Sequence, residues 1–387
     1  FVGTFLPKKT LPGICKKRWF APISSILLLN YQWISHSTPV DLPVEERLST
    51  RRGMAVSASI AGICVCLAIA WTANPLIARV SKLPTPLGHL LFGMMAAAVW
   101  PYLAASIPGS ESSTATQTTM SFLTGGLGLL VVFSAGLALP FKHLRVRWRE
   151  VSKTSLVKLL PPLLVLPPLA LLLWPDAGMG AVVAGLALSE VSVAISWSML
   201  DTHRRIETPL AKDLLGVTFL VNSTIVLLVL IVLRTPTVLL TLLAFCSGIA
   251  LHDRLPSETR GQLQTLMRAA VVPAFFVLAG ARIEWSAITD SWNWLVFLLA
   301  AAVTRLPFPR LGVGRILGHG PEDSTYFEVL AASRLTFAAL IIWLGVEAGA
   351  MSSALLSEVT IVVSLLSASS AFVAHYLHIR SPARPFN

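Results

Sequence analysis

Ionisable side chains inside long apolar runs are the residues of this chain that could do chemistry. Glu190 lies in the run 181–195, with apolar flanks on both sides and Ser192 close by. A carboxylate in such surroundings needs a cavity, a cation or an arginine partner, because burying an unpaired charge is unfavourable. We therefore predict that Glu190 binds protons or cations. Arg305 and Arg334 lie in two later apolar runs and are further candidates.

The other polar residues of the apolar runs support weaker expectations. Arg305 is followed by Pro307 and Pro309, so its side chain could instead extend to the membrane surface. Asn222 and Ser223 lie in the middle of a run but are neutral. Three more residues lie nearer the ends of their runs: interfacial positions or packed helix faces are expected for Glu328 and Glu358, and interfacial solvation is expected for His89.

Motifs of soluble enzymes and metal sites are absent from the sequence. It contains no P-loop, no H-E-x-x-H and no G-x-S-x-G motif. Cys64 and Cys66 form a C-x-C pair inside an apolar run, which matches neither a zinc site nor a thioredoxin-type C-x-x-C. We therefore expect no enzymatic activity, no cofactor and no bound metal other than a transported alkali cation.

The composition indicates that these residues lie in a membrane protein. Of the 387 residues, 55% are hydrophobic and only 13% charged, and the mean hydropathy is +0.73. A soluble domain carries about 25% charged residues. The net charge of +11 is spread over short stretches between apolar runs, so a nucleic-acid partner is not expected and the lipid bilayer is.

The lengths of the apolar runs predict an all-α polytopic fold with about eleven transmembrane helices. Each run is about 17–25 residues long, enough to cross the hydrocarbon core as a helix, and none alternates as barrel strands do. The predicted spans are 54–78, 86–105, 120–140, 155–174, 179–200, 208–233, 235–251, 265–281, 292–308, 324–346 and 354–377. The segment 1–53 remains unassigned.

Basic residues concentrate in alternate connections between these spans. Most of these basic residues lie in the stretches 141–154, 201–213 and 252–264 and at the end of the chain, 379–387. Because cytoplasmic loops are enriched in Lys and Arg, this pattern predicts a cytoplasmic C-terminal tail. We expect an integral membrane protein of the bacterial inner membrane.

Five segments, in order along the chain, resemble motifs of one transporter family. They are the A-R-x-x-x-L-P-x-x-L-G segment at 78–95, the glycine-containing segment 127–144, the L-S-x-x-S-x-A stretch at 188–194, the P-x-F-F-V segment at 273–288 and the S-R-x-x-F-A stretch at 333–338. Each motif alone is weak, but together they cover residues 54–378. The chain resembles the sodium/potassium:proton exchangers, the monovalent cation:proton antiporters, including the Kef-type membrane domain.

This resemblance implies two inverted repeats, here 54–233 and 234–378, each with a broken helix. The two broken helices of such transporters cross near the midplane of the bilayer, around an ion site. The first break is expected near Leu188–Ser192, and Ser333 and Arg334 are expected in the second. The family further implies exchange of Na⁺ or K⁺ for protons, and a homodimer.

The chain departs from the family pattern in two ways. The family's paired Asn-Asp or Asp-Asp position falls on Asn222-Ser223, so its carboxylate is missing, although Arg305 matches the family's basic residue. Only about 25 residues separate Asn222 from Ser247, where two more spans are expected from the usual span length. The chain is therefore interpreted as a diverged and shortened relative.

These observations leave three functional alternatives. In the first, an antiporter uses Glu190 as the titrating carboxylate and Arg305 as its competitor or partner, with three neutral oxygen ligands: Ser192, Asn222 and Ser223. In the second, the chain is a non-transporting relative that serves as a sensor or a partner subunit. In the third and least favoured, Arg305 and Arg334 serve an anion transporter. We take the first as the best supported.

Overall fold

The protein is helical throughout the part of the chain that its computed structural model describes. This part comprises residues 84–105, 114–139, 141–252, 254–304 and 316–380, and none of its residues lies in a strand. The predicted all-α fold is confirmed. The segment 1–53, the first predicted span at 54–78 and Arg305 lie outside the described residues.

The described helices are numbered here in chain order. They are α1 (Thr85–Ala105), α2 (Thr114–Leu137), α3 (Phe141–Val146), α4 (Trp148–Leu173), α5 (Met179–Ala187), α6 (Val193–Thr202), α7 (Pro209–Leu233), α8 (Pro236–His252), α9 (Ser257–Leu266), α10 (Val272–Gly280), α11 (Trp285–Asp290), α12 (Asn293–Val303), α13 (Pro321–Ala331), α14 (Thr336–Glu347) and α15 (Ser353–Arg380). A π-type turn, Met267–Val271, joins α9 to α10.

Helix length and hydropathy agree with a membrane-spanning fold. Within the described residues, six stretches are long and apolar enough to cross a bilayer, and shorter apolar helices accompany them. Each predicted span after the first coincides with a helix, or with a pair of helices in line, to within several residues. The protein is therefore an integral membrane protein, and about eleven spans agree with the structure.

Helix α7 shows how local sequence sets these boundaries. The Thr208 hydroxyl accepts a hydrogen bond from Ala211 N at 3.3 Å, and Pro209 occupies the first position, where its missing N–H costs nothing. The helix ends at Arg234, which adopts a left-handed conformation with φ 54°. Since α8 begins at Pro236, only two residues join α7 to α8 in this fully described stretch.

Close helix packing explains one glycine of the family-like motifs. A Cβ atom added at Gly136 in α2 would overlap the backbone of Phe245 in α8. Gly248 in α8 meets the backbone of Phe133 in α2 in the same way. Small residues that let two backbones approach are typical of helix pairs in membranes.

Contacts between connections define two ends of the molecule. At one end, Arg205 Nη2 donates to Asp323 at 2.6 Å, linking the segments that precede α7 and begin α13. At the other, Asn293 Nδ2 donates to the carbonyl of Leu173 at 2.7 Å. We call the first the basic end, because the connections after α2, α6 and α8 bring many of the described cations there, among them Arg145, Arg149, Lys153, Arg204, Lys212, Arg254 and Arg260.

Candidate functional site

Two helices are interrupted at their centres, as the sequence predicts. Helix α5 ends at Ala187 and α6 begins at Val193, so residues 188–192 are non-helical. Helix α13 ends at Ala331 and α14 begins at Thr336, with the break at 332–335. The Ser192 hydroxyl caps α6, the second half of the first broken helix, by accepting a hydrogen bond from Ile195 N at 3.3 Å. Non-helical backbone at membrane depth requires a protein partner or a water-lined cavity.

The partner of each break is the other break. The Ser192 amide donates to the carbonyl of Ser333 at 2.9 Å. The Thr336 hydroxyl accepts from the Ala194 amide at 2.9 Å and lies 3.1 Å from the Ser192 hydroxyl. The predicted closeness of the two broken segments is therefore confirmed.

Glu190 lies at the centre of this crossing and is fully buried. Its Oε1 atom accepts a hydrogen bond from the Leu335 amide at 2.7 Å, immediately before α14 begins. Since a helix N-terminus carries partial positive charge, this position stabilises a carboxylate. The structure therefore places the predicted proton- or cation-binding residue against a helix dipole.

Arg334 supplies the opposite charge within the same crossing. It is fully buried, its Nη1 donates to the carbonyl of Glu190, and the two side chains attract each other electrostatically. The Ser367 hydroxyl of α15 donates to the carbonyl of Arg334. Because Arg334 lies beside the carbonyl-rich segment that follows α5, both dipole ends at the crossing are balanced by charged residues.

Asn222 fixes the first broken segment. This residue is fully buried in α7, and its Oδ1 accepts from the Val191 amide at 3.0 Å while its Nδ2 donates to the Val191 carbonyl at 2.8 Å. The side chain thus replaces the two hydrogen bonds that Val191 loses by leaving the helix. Ser223, in contrast, donates to the carbonyl of Phe219 in its own helix at 2.8 Å.

The predicted site residues are thus largely brought together. Five of them meet at the crossing: Glu190, Ser192, Asn222, Ser333 and Arg334. The described hydroxyl contact of Ser223 stays within its own helix. Arg305 lies outside the described residues, so Arg334 is the basic residue that the structure places beside Glu190.

A cavity leads from the basic end to the crossing. It has a volume of about 160 Å³. Its lining includes Asp201 and Arg268 near the basic end and Val193 and Thr336 at the crossing. The guanidinium of Arg268 lies 4.5 Å from the centre of the Trp197 ring. The cavity therefore extends from residues near the basic end to residues beside the unwound segments.

A buried ion pair lies next to the crossing and was not anticipated from the sequence. Lys158 in α4 and Glu328 in α13 form it, and their side chains are 1% and 2% exposed. Of the two positions expected for Glu328, the structure shows the packed helix face and not the membrane–water interface. The signal for Lys158 was available, since it interrupts the apolar stretch Leu156–Leu166.

Titratable side chains also cluster at the basic end. Asp213, fully buried near the start of α7, faces Arg147 and two histidines, with His143 Nε2 at 2.8 Å and His319 Nε2 at 2.9 Å. Salt bridges of this kind join the first half of the chain to the start of the second broken helix. Among the described residues, no group of three or more His, Cys, Asp or Glu could hold a metal ion.

A second cluster surrounds His203, which lies just beyond the end of α6. Its Nδ1 is 2.7 Å from the Tyr326 hydroxyl, and its ring stacks on that of His378 with centroids 4.0 Å apart. Burial, followed by the charges of His378, His375 and Arg205, lowers the pKa of His203 from 6.5 to about 4. His203 is therefore neutral at physiological pH.

Two broken helices that cross in a membrane, with their dipole ends balanced by an arginine and a carboxylate, are the arrangement found at the ion sites of secondary transporters. Residues 238–375 match the family described as "Sodium/hydrogen exchanger, transmembrane". The resemblance to the monovalent cation:proton antiporters, which are transporters and not enzymes, is confirmed.

The fold agrees with this family. The structure matches that of the sodium proton antiporter MjNhaP1 from Methanocaldococcus jannaschii with a TM-score of 0.58. The match covers 84% of this chain and 97% of the antiporter, at 14% sequence identity. A search of the curated proteins found no match.

Proposed function

We propose that this protein exchanges a monovalent cation, Na⁺ or K⁺, for protons across a membrane, with Glu190 as the titrating carboxylate. The observation that carries the proposal is the position of Glu190, fully buried at the crossing of the two broken helices. An ionisable residue at such a place in a transporter is by default a candidate for ion binding. The family match supports the reaction class.

The exchange follows from competition at one carboxylate. When Glu190 is protonated, it is neutral and does not hold a cation. When it loses the proton, its negative charge attracts a cation, and the Leu335 amide and Arg334 stabilise that charge. Proton and cation therefore exclude each other at Glu190. The site carries a cation across in one direction and a proton across in the other, never both together.

Neutral oxygens at the crossing complete the proposed site. The Ser192 and Thr336 hydroxyls lie within 3.1 Å of each other, next to the carbonyls freed at the breaks. Such oxygens suit hard cations. Asn222 acts by holding Val191, so we assign it to positioning the site, and we give Ser223 no direct contact with the ion.

The cavity that reaches Thr336 supports an access path for ions from the basic end. We propose that this end faces the cytoplasm of a bacterial cell, with the protein in the inner membrane and its C-terminus inside, because the positive-inside rule assigns basic loops to that side. A homodimer is proposed from the family resemblance alone.

Glu190→Gln tests the proposal, since the amide keeps the size of the side chain but cannot titrate. We expect it to reduce cation-driven proton movement in proteoliposomes by at least about tenfold, because the competing charge is removed. The matched control is Glu358→Gln, which neutralises another buried carboxylate that binds Trp174 and Ser291 at the opposite end. Full activity of Glu190→Gln, with the parent active, would exclude Glu190 as the proton carrier.

A non-transporting relative is the second candidate function. One observation favours it: both polar groups of the Asn222 side chain bind Val191, at the position where the family carries its carboxylate. If the purified parent moves no protons with Na⁺, K⁺ or Li⁺, this alternative replaces the antiporter. An anion transporter loses support, because Arg334 lies beside Glu190 and its charge is balanced.

A further inference from the structure

The ion pair of Lys158 and Glu328 has no part in the crossing described above. Lys158 lies near the middle of α4, a helix of 26 residues, and Glu328 lies three residues before the end of α13 at Ala331. The two side chains are 1% and 2% exposed. A full charge pair is therefore held at membrane depth, beside the helix whose end forms the second break.

Stability alone does not account for such a pair. Removing two charges from water costs about as much as their attraction returns, and well-packed apolar side chains are often at least as stable. Apart from Lys158, no described residue is a hydrogen-bond partner of either carboxylate oxygen of Glu328. The charge of Glu328 is thus stabilised chiefly by Lys158, so it depends on one contact that a small movement of α13 can break.

The position of Glu328 links it to the cation site. Helix α13 leads directly into Ser333, which accepts from Ser192, and into Arg334, which donates to Glu190. Glu328 lies five residues before Ser333 along the chain, and charges at membrane depth interact strongly because the medium is of low polarity. A cation that arrives at Glu190 therefore disfavours any additional positive charge near Glu328.

On the proposed exchange reaction, we infer that Lys158 and Glu328 form a second proton-binding pair of the transport cycle. Glu328 takes a proton from water on one side of the membrane, the ion pair opens, and Lys158 keeps its own proton as an ammonium ion. When a cation binds at Glu190, Glu328 releases that proton and the pair closes again. Each cycle then returns two protons, one from Glu190 and one from Glu328, for one cation.

This stoichiometry can be measured from the cation gradient at equilibrium, which does not depend on transport rates. With two protons per cation, a difference of one pH unit balances about a 100-fold cation gradient, and one net charge moves per cycle. At 100 mV that charge alone shifts the equilibrium cation ratio by about 50-fold. With one proton per cation, one pH unit balances only about a tenfold gradient and the membrane potential has no effect.

The test is the double variant Lys158→Met with Glu328→Leu, which replaces the pair by apolar side chains of similar size. We expect it to fold and to exchange Na⁺ or K⁺ for protons in proteoliposomes, but electroneutrally, with about a tenfold cation gradient for one pH unit. The control is Arg205→Gln with Asp323→Asn, which removes the ion pair at the basic end of α13 and should keep the parent's 100-fold ratio.

Infrared difference spectroscopy gives a readout that does not depend on transport. Between alkaline and acidic pH, the detergent-solubilised parent should gain a protonated-carboxyl band that is absent in Glu328→Gln and retained in Glu190→Gln. A double variant with the parent's gradient ratio, or a parent spectrum with no band that Glu328→Gln removes, overturns the inference and leaves the proposed exchange intact. A parent without exchange overturns both.

Discussion

Asn222 is the residue whose role changes most between sequence and structure. The sequence suggests an oxygen ligand for the ion, whereas the side chain binds both polar groups of Val191 at 3.0 and 2.8 Å. An uncharged amide is well suited to this task, because it donates and accepts at once. A carboxylate at the same position could accept from the Val191 amide but would repel its carbonyl.

Asn222→Ala should therefore damage the fold around the first break more than it damages ion chemistry. It leaves the Val191 amide and carbonyl without partners, at about 1–3 kcal/mol for each buried group. We expect a lower thermal midpoint in detergent and reduced exchange. Ser223→Ala is the control, with a change within about 0.5 kcal/mol, since its hydroxyl binds only its own helix. Equal midpoints for the two variants would contradict the positioning role.

The sequence is informative about single buried charges and uninformative about their partners. Glu190 could be identified because it interrupts an apolar run, and charge in lipid is costly. The sequence suggests Arg305 as its partner, whereas the structure brings Arg334 beside it, in a contact between residues 144 positions apart that no local pattern predicts. Lys158 and Glu328 pair across two helices for which no local pattern predicts a contact.

Among the elements, the broken helices were predictable because their polar residues interrupt otherwise apolar runs. Ser192 and Ser333 occupy the breaks, and both offer backbone groups that the other segment binds. Polar residues within apolar runs give no account of the link between α7 and α8. Two residues connect these helices, whereas the family pattern has two more spans at this point. The division into repeats at 54–233 and 234–378 stays a prediction.

The end of α6 provides a prediction about pH and stability. The pKa of His203 lies at about 4 in the folded protein, below its ordinary value of 6.5. As pH falls from 6.5 to 4, the unfolded chain takes up a proton at this residue while the folded protein does not, so stability decreases. Below pH 4 both states are protonated and the loss no longer grows.

His203→Gln should remove this part of the acid sensitivity. The glutamine can still bind the Tyr326 hydroxyl but cannot titrate. We expect the thermal midpoint of the variant to fall less than that of the parent between pH 7 and pH 4.5, measured in detergent. His252→Gln is the control, since that imidazole lies elsewhere at the basic end, against the carbonyl of Leu137. Parallel pH curves for His203→Gln and the parent would show that His203 does not cause the loss.

At the scale of the whole molecule, alternate connections meet at opposite ends, which predicts the orientation in the membrane. Glu207, whose side chain is 90% exposed, lies at the basic end between α6 and α7. Ser352 is exposed between α14 and α15, at the opposite end. Basic residues gather at the first of these ends, as the sequence indicates.

Cysteine labelling in cells tests this orientation. In a cysteine-free background, Glu207→Cys should be protected from an impermeant thiol reagent added outside, and Ser352→Cys should react. Permeabilising the cells should expose Glu207→Cys, which controls for its reactivity. Reaction of both positions from outside, or of Glu207→Cys alone, would contradict the cytoplasmic placement of the basic end.

The contact of Leu335 with Glu190 also sets the order of events during biosynthesis. The carboxylate and its donor are 145 residues apart, so the first break is synthesised long before the second exists. At about 5–20 residues per second, a ribosome needs about 7–30 s to cover that distance. Throughout that interval the Ser192 amide lacks the Ser333 carbonyl, and the Glu190 carbonyl lacks Arg334. The first broken segment must therefore stay at the insertion machinery, or in contact with water, before it is fully surrounded by lipid and protein.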